Sequence, residues 1–309
     1  MEGLSFVILT SNRAEELRQT LEAVLSQKLC PVPQIIVVDN ASRDETPEVL
    51  KQYPGVEVVH LDQNEGAVAR NHGFERTIHD LVVCLDDDVR PKGKDAFSRL
   101  LPFMKANPGI GAVTFKVLNQ MGDLESYSWC HPRDPFTDSD KIFYSEYLSE
   151  GACAIRKRAF QDAGGYWKDL FIGHEGEDLA MRLLDKGYDM AYYPKVAVVH
   201  HHSRMGRPSW RNFYYNHRNN LWINCKNLPW PDAIRATLYS SSVMLFFSLR
   251  AGQVNAYLRA WRDGVKELPR VLKMRKPLQK QTMRKICFYR SKKPGLWVRL
   301  KRHMEHRVF

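Results

Sequence analysis

The sequence has no C-x-x-C pair. Its six cysteines (Cys30, Cys84, Cys130, Cys153, Cys225 and Cys287) are scattered over 309 residues. Structural zinc sites want closely spaced thiols, and disulfide frameworks belong to short secreted domains, so reduced thiols are expected. The opening MEGLSFVILT has no basic residue and too short an apolar run to read as a secretory signal. Long apolar runs are missing as well. The longest, residues 236–252, is broken by serines and bracketed by Arg235 and Arg250. A spanning helix needs about 20 mostly apolar residues, so this segment is expected to be buried or to lie at an interface. TSNRAEEL (residues 10–17) follows the first apolar run without a glycine, and no G-x-G-x-x-G stands there. A nucleotidyltransferase should carry a Gly-rich loop with a basic residue at that point, and a nicotinamide-dependent dehydrogenase the glycine fingerprint. Both classes are therefore disfavoured.

What is present is the composition of a globular protein, 44% apolar and 26% charged, without repeats or low-complexity tracts. The net charge of +11 is unevenly spread. Residues 251–309 hold 17 Lys or Arg against 3 Asp or Glu, and the rest hold 29 against 32. A near-neutral body with a basic tail suggests an anionic surface, which phospholipid and nucleic acid both offer. The stretch AYLRAWRDGVKELPRVLKMRK (residues 256–276) is amphipathic and basic. It suits a helix lying in the plane of a membrane, or an ordinary helix packed on the body.

The first half alternates apolar runs with helical patterns. LSFVILT (4–10), QIIVVDN (34–40), VEVVHL (56–61) and LVVCLD (81–86) read as strands. Leu17, Leu21, Val24 and Leu25 keep helical spacing, a short helix should start near Thr46 and Pro47, and residues 67–76 read as another helix. Apolar strands separated by helices mean an α/β fold with a mostly parallel sheet covered on both faces, and its binding sites lie at the strands' carboxyl ends. Thr10, Asp39, Asn40 and three consecutive aspartates fall there. The second half predicts a strand over 109–118, a looser stretch over 119–147, a strand and helix in GACAIRKRAF, a helix from about 177 to 186, and strands in MAYYP and VAVVHHHS. From residue 209 onward the pattern is helical, aromatic and basic.

Asp86, Asp87 and Asp88 end a buried run, where carboxylates need a positive partner. Hard divalent cations such as Mg²⁺ or Mn²⁺ prefer such oxygens. In an extended D-x-D the first and third side chains share a side, so Asp86 and Asp88 should face one assembly and Asp87 another. An exposed acidic turn is the plainer alternative. Asp39 can accept from a ribose or a base N–H, or it can cap the following helix. Gly66 allows close backbone approach at a helix start with free N–H groups, and Arg70 one turn later can reach a diphosphate or the aspartates.

VVDNASRDET, NEGAVARNHG and CLDDD, in this order, resemble the family 2 glycosyltransferases of the GT-A fold over roughly residues 4–225. The resemblance implies a nucleoside-diphosphate sugar, with a UDP-sugar the first expectation, held by Thr10, Asn12, Arg13, Asp39, Asn64, Gly66, Arg70, Asp86 and Asp87. It implies Mn²⁺ or Mg²⁺ held by Asp88 and by a histidine after the late strand, for which His200 is the first choice and His202 shares its face. It implies inverting transfer to a glycan or lipid-linked acceptor. The family's E-D-x-D-L-x-x-R pattern aligns with HEGEDLAMR, so its second acid falls on Gly176. Glu175 is then the first choice for the general base, Asp178 the second and Glu177 the third. Trp129, Trp167 and Phe171 are candidates to stack on the acceptor, with core packing the alternative. The expected layout is a catalytic domain over 1–225, with a nucleotide half to about 118, and a basic helical extension over 226–309 that meets an anionic membrane from the cytoplasmic side. A non-enzymatic module gripping nucleic acid with its tail would not need the acidic cluster, so no nucleic-acid partner is expected.

Overall fold

A computed structural model describes residues 3–125, 129–202 and 210–294. The strands are β1 (Leu4–Thr10), β2 (Gln34–Asp39), β3 (Glu57–His60), β4 (Leu81–Asp86), β5 (Val89–Pro91), β6 (Ile110–Leu118), β7 (Phe143–Tyr144), β8 (Ala152–Arg156) and β9 (Asp189–His200). They form one sheet in the order β3-β2-β1-β4-β8-β6-β9-β5, with β7 also on β9. Strands β1 to β4, β6 and β9 point one way, and β5, β7 and β8 run against them. MAYYP and VAVVH are one continuous strand, β9, with a register shift where Phe115 gives way to Lys116 on β6.

Strand alternation sorts the two faces. Phe6, Ile8, Ile35, Val37, Val83 and Leu85 pack with Leu17, Leu21 and Val24 of α1 (Ala14–Leu25) and with Leu100 and Met104 of α4 (Leu100–Ala106). Val7, Ile36, Val38, Val82 and Cys84 face the other way, toward Phe74 of α3 (Arg70–Arg76), Phe160 of α6 (Lys157–Asp162) and Leu179 and Leu183 of α7 (Glu175–Asp185). The remaining short helices are α2 (Thr46–Leu50) and α5 (Pro135–Asp138). The helix expected over 67–76 opens instead as a 3₁₀ turn, Gly66–Ala69, before α3.

The C-terminal part consists of α8 (Trp210–Asn227), α9 (Trp230–Arg250), α10 (Val254–Lys273) and α11 (Lys280–Arg290). The expected boundary at 225/226 falls inside α8. Leu221, Trp222, Val271, Ile286 and Tyr289 belong to the same apolar cluster as α7. Arg270 pairs with Asp169 at 2.6 Å and Arg290 with Glu146 at 3.1 Å, so part of the tail's charge is used against the body. Residues 295–309 of the expected extension lie outside the described residues.

Both segments of this region had alternatives. The amphipathic segment packs on the body along one face: Ala256, Tyr257, Ala260 and Gly264 of α10 are buried, and the Trp222 indole donates to Gly264 O at 3.0 Å. Of the two alternatives for 236–252, burial is not the one seen. Within α9 only Ala233, Ser241 and Ser248 are buried, while Leu238 (66%), Tyr239 (73%), Phe246 (54%) and Phe247 (52%) face outward. Among the described residues no helix is long and apolar enough to cross a membrane.

Candidate active site

The carboxyl ends of β1, β2 and β4 and the start of α7 surround a cavity of about 430 Å³. Thr10, Asn12, Arg13, Asn40, Asn64, Gly66, Arg70, Asp86 and Asp87 form one wall. Glu150, Gly151, Ile172, Gly173 and Glu175 also line the cavity, as do Arg211, Asn212, Tyr215 and Asn216 of α8. A parallel sheet puts its ligand crevice at this edge because strand ends and helix starts diverge there.

The aspartates are neutralised by two arginines. Arg70 bonds the Asp86 carboxylate. Arg13 donates to Asp87 at 2.6 Å and to Asp88 at 2.9 Å, and the Thr10 hydroxyl donates to Asp87 at 2.8 Å. Burial opposes the charge on both guanidiniums, but the carboxylates hold their pKa values above the ordinary one. Asp87 is pushed up to about 6 by burial, with Arg13 opposing and Asp88 and Asp86 adding to the rise. The expected facing of the triplet is corrected. Asp87 lines the cavity, whereas Asp88 lies fully buried behind the wall. Strand alternation stops at Asp86, where β4 ends and the chain turns through Asp87 and Asp88 into β5.

Behind that wall, His200 Nε2 sits 3.4 Å from Asp88 Oδ1 and has no hydrogen-bond partner among the described residues. His202 bonds Glu125 at 2.6 Å, and ligand atoms of Glu125, His200 and His202 lie within 4.8 Å of one another. Imidazole nitrogens with carboxylate oxygens are a donor set that fits Mn²⁺ better than Mg²⁺, which prefers oxygen alone.

Other sequence expectations meet different fates. Gly66 has φ +74°, and a Cβ there would overlap the Phe171 carbonyl. Its neighbouring amides are not free for a diphosphate as expected: Gly66 N–H donates to Asn64 at 2.8 Å and Ala67 N–H to Phe171 O at 2.6 Å. Asp39 does not reach the cavity. It is fully buried, accepts from Ser42 N–H at 3.0 Å and contacts His60 at 2.8 Å, so it holds the turn after β2 and does not cap α2 as the alternative had it. Two aromatic candidates are structural. Trp129 donates to Arg133 O and packs on His131 and Tyr192, and Trp167 bonds Asp169 and packs on Trp222. Phe171 stacks on Tyr215, which lines the cavity. Asn219 of α8 donates to the carbonyls of Leu170, Ile172 and Gly173 at 2.7 to 2.9 Å and so fixes this wall.

The acids of α7 separate sharply. Glu175, its first residue, is 5% exposed on the cavity wall, and its Oε2 has no hydrogen-bond partner among the described residues. Burial and the charge of Glu150 push its pKa up to about 8. Asp178, the second choice for a base, is corrected to a structural role. It faces away from the cavity, fully buried, accepting from Lys226 at 2.7 Å, Asn227 at 2.8 Å and Arg182 at 2.5 Å. A helix turns 100° per residue, so positions 175 and 178 do share a side, but α8 covers only the second of them. Glu177 bonds His174 at 2.8 Å. Glu150 and the α8 residues carry no local motif, and their place in the site follows from tertiary packing alone.

Comparison with known proteins gives a consistent result. The model of the family described as glycosyl transferase family 2 matches residues 5–164, a little over half of the chain. A poly-beta-1,6-N-acetyl-D-glucosamine synthase of Staphylococcus epidermidis is 28% identical over 209 residues, 63% of this chain and 49% of that protein. The synthase of Staphylococcus aureus (strain COL) is 27% identical over 205 residues, covering 63% and 48%. The chain thus spans about half the length of the curated relatives it matches. Among solved structures, S. aureus TarS 1-349 in complex with UDP-GlcNAc superposes with a TM-score of 0.59 at 16% identity, over 88% of this chain and 84% of that one. The mannosyltransferase PcManGT from Pyrobaculum calidifontis, in complex with GDP-Man and Mn²⁺, gives 0.56 at 17% identity, over 93% and 83%. At these identities the likeness is one of fold.

Proposed function

This chain belongs to glycosyl transferase family 2, with the GT-A fold, and from that premise we propose that it transfers a sugar from a nucleoside-diphosphate donor to a hydroxyl of a glycan or lipid-linked acceptor. The observation that carries this reading is the cavity itself. It brings hydrogen-bonding side chains and two arginines at the strand ends together with the acids Glu150 and Glu175, as a donor diphosphate and an acceptor hydroxyl require. A UDP-sugar is the first donor to test, since TarS holds UDP-GlcNAc on this fold.

Thr10, Asn12, Arg13 and Asn64 face the nucleotide, and Arg70 and the Asp86–Asp87 edge face the diphosphate end. Arg70 places a fixed positive charge where negative charge grows on the leaving group, and it needs no reorganisation to do so. Asp88 and His200 would hold Mn²⁺ or Mg²⁺, which when bound supplies further charge to stabilise the departing diphosphate. Glu175 faces the acceptor side and removes the hydroxyl proton while the oxygen attacks the anomeric carbon opposite the nucleotide, so the transfer inverts.

The outward apolar side chains of α9, flanked by Arg235 and Arg250, support seating on the anionic cytoplasmic face of a membrane, where a lipid-linked acceptor would lie. The reading is tested by a panel of nucleotide sugars with and without Mn²⁺, followed by thermal shift and by release of nucleoside diphosphate. Metal-dependent stabilisation and turnover with one donor support it. Retention on DNA without any metal-dependent nucleotide binding would sink it.

A further inference from the structure

The family pattern wants an acid at position 176, and this chain has glycine. The space is not empty. A Cβ on Gly176 would overlap the carboxylate of Glu150 and come within 2.6 Å of Leu148 O. Glu150 Oε1 accepts the Gly176 N–H, in the first turn of α7. The Glu150 carboxylate therefore arrives from the loop before β8 at the place that a side chain on residue 176 would fill. Glycine there is what admits it. Glu150 and Glu175 line the same cavity, and Glu175 Oε2 is buried without a hydrogen-bond partner among the described residues.

We infer that Glu150 replaces the missing acid, and that Glu150 and Glu175 act as a carboxylate pair that takes the acceptor's proton. This rests on the glycosyl-transfer reading above. Two carboxylates at one buried site do not both ionise near neutrality, so the pair holds one proton at rest. Burial raises Glu150, with its backbone hydrogen bonds and Arg70 opposing and Asp86 adding, and Glu175 is pushed up to about 8. The groups that act on the pair include Arg70, Asp86 and His174, and the Tyr166 and Tyr147 hydroxyls and the Cys153 and Cys130 thiols interact with Glu150. In the step, the acceptor O–H bond breaks and its proton passes to the pair. The oxygen forms the new bond to the anomeric carbon, and the bond from that carbon to the diphosphate oxygen breaks, leaving its electrons on the diphosphate. The pair, now doubly protonated, returns one proton to water after product leaves.

Glu150→Gln keeps an oxygen for the Gly176 N–H and removes the charge. Turnover should fall by roughly 10²- to 10⁴-fold with the donor KM unchanged. Azide, which needs no deprotonation, should still be glycosylated at the wild-type rate. A residue that merely holds the loop would lose both reactions together, and that result, or full turnover of the variant, overturns the inference. A second measurement does not depend on activity. In ¹³C-carboxyl NMR of the full chain, assigned with Glu175→Gln, the Glu175 signal should titrate near 8 in the wild type and at lower pH in Glu150→Gln, with burial still holding it above the ordinary value. An unmoved titration refutes the pair even if no donor in the panel reacts. A shifted titration in a chain without transfer counts against the glycosyl-transfer reading instead.

Discussion

Asp178→Asn separates a structural acid from a chemical one. The carboxylate is fully buried and accepts from Lys226, Asn227 and Arg182. Burial favours its neutral form, but Arg182 and Lys226 outweigh that and hold its pKa below the ordinary value. Its contribution is therefore present above the unfolded pKa and is lost as pH falls through the lower folded one. Neutralising it leaves Lys226 buried over the Trp167 ring, 4.4 Å from the centroid, without an anion. Breaking one side of a buried pair costs about 3–5 kcal/mol. With an unfolding entropy of about 2.1 cal/mol/K per residue over this length, Tm should fall by about 5–8 °C. Differential scanning fluorimetry at neutral pH reads the shift, and kinetics below the new Tm should give turnover within a few-fold of wild type. An unchanged Tm with turnover abolished would refute the reasoning and return Asp178 to the role of base.

Asp88→Ala should abolish metal-dependent nucleotide binding and transfer while the circular dichroism of the fold is kept; unchanged turnover would remove Asp88 from the metal site. Gly66→Ala forces a side chain into φ +74° and against the Phe171 carbonyl. The backbone conformation alone costs about 1–2 kcal/mol, so the urea midpoint should drop and donor affinity with it. A variant as stable as wild type would contradict the close approach of Gly66 to the Phe171 carbonyl. Replacing Phe246 and Phe247 by Ser should leave Tm unchanged, since both are exposed, yet lower flotation with anionic vesicles by at least about tenfold, given about 1.5–3 kcal/mol for each buried ring. Equal vesicle binding would move the membrane contact off α9.

Much of this protein is readable in order along the chain. β1, β2 and β4 stand where LSFVILT, QIIVVD and LVVCLD predicted, because a strand buried on both faces writes itself as a continuous apolar run. Thr10, Arg70 and Asp86 were legible for the same reason, since a strand end or a helix start fixes where they stand. The rest depended on contacts between distant segments. No spacing rule says that Asp87 turns inward, because the alternation that predicted otherwise ends with the strand. Nor does sequence alone say that α8 covers Asp178, or that α10 packs one face against α8. Gly176 shows the division most plainly. The sequence has glycine there, where the resemblance to its family implies an acid. Only the folded chain, by bringing Glu150 across 26 positions to the Gly176 amide, decided what fills the space, because a carboxylate's place in a cavity is set by the backbone that carries it and not by its neighbours in the chain.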